Sequence, residues 1–105
     1  MRVAVVDIGT NTTRLLVADV DGRRVTEVYR RTEITKLGEG VDRTGRLSEG
    51  AMGRVAAVLR TYREAIDAAG ADATIGAMTS ATRDAENGPE FVERVRRDFG
   101  IDARA

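Results

Sequence analysis

The chain has 105 residues, of which 17 are basic and 17 acidic, and it contains neither cysteine nor histidine. A chain of this length forms one domain that buries roughly two-thirds of its unfolded surface. Balanced charge offers nucleic acid or an acidic membrane no general attraction. The two missing residue types exclude disulfides, thiolate nucleophiles, Cys/His zinc sites and histidine general bases. Carboxylates, hydroxyls, arginines and backbone N–H groups remain as the available chemistry. Sixteen of the basic residues are arginine and only Lys36 is lysine; with 15 alanines beside them, this reads as a coding bias across the whole gene.

The start M-R-V-A-V-V-D is too short in apolar residues for a signal peptide, and no segment approaches membrane-spanning length, so a cytoplasmic location is expected. Val3 to Ile8 is apolar at consecutive positions, the pattern of a central strand covered on both faces. Arg14 to Asp19 forms a second strand, and Asp21-Gly22 is a tight-hairpin signal. Val25 to Thr35 mixes apolar and charged residues and reads as a longer strand near the sheet edge, wet on one face.

Leu37 to Leu47 carries three glycines and reads as a connecting loop, with Glu39 and Asp42 as solvated loop acids. Ser48 then stands as an N-cap, flanked by a Leu47–Met52 staple. Met52, Val55, Leu59, Tyr62, Ile66 and Ala69 recur at helical spacing, and Gly70 closes the helix. Gly53 inside it costs about 1 kcal/mol relative to alanine. Ala73 to Thr79 is a fourth strand that ends in a polar turn, T-S-A-T-R-D-A. Gly88-Pro89 opens a second helix, with proline at the first position and Phe91, Val92, Val95 and Phe99 as its buried stripe; Gly100 ends it. Ile101 to Ala105 begins a fifth strand. The order, three hairpin-linked strands, then helix, strand, a helical segment, helix and the start of a strand, predicts an α/β layered domain with a mixed sheet.

The chemistry concentrates in V-D-I-G-T-N-T-T-R, Val6 to Arg14. Asp7 ends the first strand, and Gly9 stands where the backbone needs freedom or a close approach. The N–H groups of Gly9 through Thr13 can converge on an anion, with the hydroxyls of Thr10, Thr12 and Thr13 as further donors. An aspartate beside such a loop can hold a hydrated magnesium that bridges to phosphate. The same residues also suit a plain turn satisfied by side-chain to backbone bonds, and D-x-G-T alone does not separate the two.

Three stretches carry a resemblance: V-V-D-I-G-T-N-T-T-R-L-L-V at 5–17, I-T-K-L-G-E-G-V-D-R-T-G-R-L-S at 34–48 and A-M-T-S-A-T-R-D-A-E-N at 77–87. Together they resemble the exopolyphosphatase and guanosine pentaphosphate phosphohydrolase family, within the superfamily of acetate and sugar kinases, actin and the heat-shock chaperone ATPases. The resemblance implies that residues 1–105 are the N-terminal part of the first of two ribonuclease-H-like domains facing each other across a cleft. It implies hydrolysis of a terminal phosphoanhydride of polyphosphate or guanosine pentaphosphate with Mg2+, and a homodimer for a full-length form. Carried over residue by residue, Asp7 belongs to the metal site. Gly9, Thr10, Asn11 and Thr12 form the first phosphate loop, with Arg14 as a further substrate-binding candidate, and Arg83 reaches the phosphate chain as the catalytic candidate. Ser80, Thr82 and Asp84 read as a helix cap and first-turn residues.

The family's general-base glutamate, in an S-G-x-E-E-A stretch, and its second phosphate loop, D-I-G-G-G-S-T-E, would follow the strand that begins at Ile101. This sequence ends before both. A truncated domain without appreciable phosphatase activity is therefore expected, of marginal stability alone or stabilised by self-association. A sugar- or acetate-kinase-like ATP-binding fragment and a non-catalytic phosphate-binding module are the alternatives.

Overall fold

The computed structural model describes residues 1–104, with the backbone alone at Ser80, Ala81 and Arg104. In chain order the elements are β1 (Arg2–Ile8), β2 (Thr12–Asp21), β3 (Arg24–Ile34), α1 (Val41–Thr44), α2 (Glu49–Ala69), β4 (Ala73–Met78), α3 (Ser80–Asp84), α4 (Gly88–Phe99) and β5 (Ala103–Arg104). One short helix, α1, is thus added to the expected order and falls inside the stretch read as a loop, whereas α3 stands where a helical segment was expected. The sheet runs β3-β2-β1-β4-β5; β1, β2 and β3 pair antiparallel, whereas β4 lies parallel to β1 and β5 parallel to β4. The two-residue β5 is shorter than the strand expected from Ile101 on, and Ala105 lies outside the described residues.

The long helix forms where its sequence signals stand. The Ser48 hydroxyl accepts the Ala51 N–H at 3.0 Å, Leu47 and Met52 are both buried, and Gly70 ends the helix in the left-handed region. α4 starts at Gly88, so Pro89 is its second residue and Asn87 precedes it. The Asn87 amide, buried, joins Leu47 through both of its ends, accepting from Leu47 N–H at 2.8 Å and donating to Leu47 O at 3.1 Å. This pairing ties the approach to α2 to the approach to α4.

Ala4, Val6, Ile8, Leu15 and Val17 face α2 and α4 and join Val55, Leu59, Tyr62, Ile66, Phe91 and Val95 in one core. Each large side chain buried there contributes about 1.5–3 kcal/mol relative to exposure. The opposite face of β1 departs from the expected double cover. No described helix lies over it: Val3, Val5 and Leu16 are half-buried, and Ile75, paired with Val5, is 55% exposed. β3 is wet on both faces rather than one, because it is the edge strand and reaches α2 mainly through Tyr29 and Glu33. The α2 crossover returns the chain so that β4 runs parallel to β1. The carboxyl ends of β1 and β4 therefore open at the same edge of the sheet, where α/β sheets commonly bind ligands.

Candidate anion site at the carboxyl ends of β1 and β4

The turn after β1 is closed by the Gly9 N–H donating to Thr12 O at 2.8 Å. Gly9 is therefore not one of the free donors of the loop; its contribution is shape, since a Cβ at this position would stand 2.8 Å from that same oxygen. Thr13 also drops out, because its side chain is buried and its hydroxyl lies 2.8 Å from the Thr35 hydroxyl. The donors that remain are on Thr10, Asn11 and Thr12.

Their direction is set from behind. Thr10 O accepts the Gly38 N–H, and Asn11 O accepts both the Thr35 and the Lys36 N–H, each at 3.0 Å. Every described peptide is trans, and a trans peptide sets its N–H opposite its C=O. The Asn11 and Thr12 N–H groups consequently face away from the 35–38 segment. The N–H groups of Thr10 and Asn11 have no hydrogen-bond partner among the described residues. Asn11 is exposed and Thr10 and Thr12 are half-buried, so these donors can be reached. Successive outward N–H groups of this kind form a concavity suited to an anion.

A second turn meets the first. The Thr79 N–H donates to Ile8 O at 3.2 Å, and the Thr79 and Thr10 hydroxyls lie 3.3 Å apart. Arg83 follows on α3, exposed, with no ion pair among the described residues. It lines an open cleft of about 420 Å³ with Thr82, Pro89 and Val92. Thr82 is buried and its hydroxyl has no hydrogen-bond partner, so it is not a cap. Asp84 ends α3 rather than starting it, and the cap role of Ser80 lies outside the described residues. Glu39 and Asp42 are exposed as expected, although Glu39 pairs with Arg54 at 3.4 Å.

Asp7 lies across from Arg14 on β2 and Ala77 on β4. Facing position does not produce pairing here: neither Asp7 nor Arg14 has an ion-pair partner among the described residues, and the carboxylate stays half-buried at the mouth of the turn. No group of three or more acidic side chains able to hold a metal occurs among the described residues. Magnesium keeps several waters and binds through one or two carboxylates together with phosphate oxygens. A single aspartate next to an anion loop fits such a shared ion and does not fit a cage built from protein alone.

Behind β2, the buried Tyr62 of α2 secures the start of the strand. Its phenol donates to Thr13 O at 2.9 Å and meets the Glu33 carboxylate of β3. Burial, followed by the Glu33 bond, pushes the phenol well above its ordinary value of 10. The link from Thr79 to Thr10 and the backing of the turn by residues 35–38 were not foreseen from sequence. Their sequence signal was the pair of motifs at 34–48 and 77–87, which held these residues without giving them a place.

Exopolyphosphatase 2 of Mycobacterium tuberculosis is 40% identical over 94 residues, covering 86% of this chain and 30% of that protein. A bifunctional 3-dehydroquinate synthase/phosphatase of Fusobacterium nucleatum is 41% identical over 99 residues, covering 88% of this chain and 15% of its own length. The crystal structure of the Aquifex aeolicus Ppx/GppA phosphatase superposes with a TM-score of 0.93 at 36% identity, over 99% of this chain and 35% of that one. The likeness therefore includes the turn after β1, and the fold is ribonuclease-H-like and actin-like. This chain spans about a third of the length of the exopolyphosphatase and the Aquifex protein. The model of the Ppx/GppA phosphatase family matches residues 16–105, and the chain belongs to that family.

Proposed function

We propose that residues 1–105 form one wall of a phosphoanhydride hydrolase site, in the first ribonuclease-H-like domain of a longer enzyme that acts on polyphosphate or guanosine pentaphosphate. The observation that carries this reading is the turn at 9–12. Its carbonyls are tied back to residues 35–38, its N–H groups face outward, and Thr79 joins it to the segment bearing Arg83. Thr10, Asn11 and Thr12 hold a terminal phosphate, Gly9 gives the turn its shape, and Arg14 and Arg83 bring mobile positive charge to the phosphate chain. Asp7 would share a magnesium ion with the phosphate oxygens, which neutralises charge on the transferred group. The enzyme would work in the cytoplasm, as a homodimer in its full-length form.

Phosphoryl transfer needs charge stabilised from more than one side and a base within reach of the attacking water. The described residues supply donors from one side. The 105-residue chain should therefore bind tripolyphosphate without hydrolysing it, whereas a form extended to the span of its relatives should release phosphate. Amide spectra of the chain titrated with tripolyphosphate and magnesium test the first half. Shifts at Thr10, Asn11 and Thr12, with none at Arg2 and Asp19 at the far end of the sheet, are expected. A silent loop overturns the reading. Binding by an extended form that never turns over would leave a phosphate-binding module instead.

A further inference from the structure

Lys36 is the only lysine among 17 basic residues, and it is the only non-glycine residue with positive φ, at 51°, among the described residues. L side chains adopt this region at a cost that glycine and asparagine largely avoid. Four hydrogen bonds hold the backbone there: the Thr35 and Lys36 N–H groups on Asn11 O, and the Arg54 guanidinium on Thr35 O at 2.8 Å and Lys36 O at 3.2 Å. All four use main-chain atoms of residues 35 and 36, so glycine or asparagine at 36 would keep them with less strain, and the backbone does not require the lysine side chain.

Its charge is also uncommitted. Arg54 pairs with Glu39 and Arg46 with Glu86, but the exposed Lys36 ammonium has no partner among the described residues. The backbone of Lys36 is bonded to the turn at 9–12 from the side opposite its outward N–H groups, so only the flexible four-carbon stem, which ends in a compact point charge, could bring it to an anion there. We propose that Lys36 is a further anion-binding residue of this site. Resting on the reading of 9–12 as a phosphate loop, the assignment gives its ammonium a phosphate group further along an oligophosphate whose end lies on Thr10–Thr12. A single phosphate held in the turn would not engage it, so Lys36 would select for a chain of linked phosphates.

The test compares inorganic orthophosphate with tripolyphosphate, using amide shifts of the 105-residue chain and of two variants. Lys36→Asn removes the charge with a residue tolerant of the left-handed region, and Lys36→Arg keeps a cation. Tripolyphosphate affinity should fall about fivefold in the asparagine variant and stay within about twofold of the parent in the arginine variant. Orthophosphate affinity should not change in either. Equal tripolyphosphate affinity in Lys36→Asn, or an equal loss for orthophosphate, overturns the role of Lys36 while the loop reading stands. Absence of any response at Thr10–Thr12 in the parent chain overturns the loop reading and this assignment with it. Unchanged shifts at Arg2 and Asp19 verify that each variant is folded.

Discussion

Gly9→Ala tests whether the turn at 9–12 is shaped for an anion. The φ of Gly9 is not positive, so alanine can adopt its backbone conformation. The obstacle is a contact: the new Cβ would stand 2.8 Å from Thr12 O, against about 3.3 Å for the closest ordinary carbon–oxygen approach. Relief requires a shift of about half an ångström. That oxygen already accepts the Gly9 N–H at 2.8 Å, so it cannot retreat from the methyl group without weakening the bond that closes the turn. Losing the bond costs about 0.5–1.5 kcal/mol and residual overpacking adds a similar amount, about 1–3 kcal/mol together. A domain with the usual margin of about 5–15 kcal/mol remains folded. Melting followed by circular dichroism should drop by about 4–8 °C per kcal/mol. The Asn11 and Thr12 amides, displaced with their peptides, should lose their response to tripolyphosphate. A folded Gly9→Ala chain that binds tripolyphosphate as the parent does would refute the claim that this closure aims the donors.

Gly53→Ala should raise stability by about 0.5–1 kcal/mol, because the position is inside α2 and nothing lies within 4 Å of the added methyl; an unchanged or lower melting temperature would count against it. Gly88→Ala places a Cβ 1.8 Å from Thr82 O, a backbone atom that no rotamer change can clear. A loss above about 3 kcal/mol and a non-cooperative melt are expected, and a normal melt would show that α3 and α4 separate easily. Tyr62 keeps in the fold a proton that the unfolded chain releases near its ordinary pKa of 10. Its contribution is complete below that pH and is lost as pH rises beyond it, at about 1.4 kcal/mol per unit. Tyr62→Phe should flatten this alkaline limb of a stability profile, and an unchanged limb would assign it to other groups. Arg83→Ala should leave melting within about 0.5 kcal/mol, as befits an exposed, unpaired side chain, yet weaken tripolyphosphate binding severalfold. Unchanged affinity would remove Arg83 from the site.

Where a residue pattern repeats and the burial is on one side, sequence foretold structure closely. Ser48, Leu47, Met52 and Gly70 bound α2 as local chemistry requires, and its apolar spacing matches the buried row Met52, Val55, Leu59, Tyr62, Ile66. Short elements were less legible. α1 is a single turn between Gly40 and Gly45, both with positive φ, and a four-residue helix leaves no periodicity to read. The cover of β1 was overestimated for a related reason. Consecutive apolar residues in Val3–Ile8 state that both faces can be buried, but not which elements bury them, and α2 and α4 share one side. Asn87 eluded sequence altogether, because nothing in its neighbours shows that its amide will pair with Leu47, 40 residues away.

At the turn itself, sequence exposed the residue types but not their orientation. Gly9 through Thr13 offered five N–H groups and three hydroxyls, equally suited to a self-satisfied turn and to an anion cradle. Folding divides that set. Gly9 and Thr13 are spent within the protein, on Thr12 O and Thr35, and the carbonyls of Thr10 and Asn11 are held from behind by Gly38, Thr35 and Lys36. The second contact sets the orientation, because holding a peptide by its oxygen turns its hydrogen the other way. The partner that does so lies more than twenty residues on, past two strands and a hairpin. The I-T-K-L-G-E-G stretch therefore backs the candidate anion site, and of its side chains only that of Lys36 is proposed to touch a ligand. Loosening it, for instance by removing the Arg54 guanidinium from the carbonyls of Thr35 and Lys36, should blunt the loop while leaving every loop residue in place.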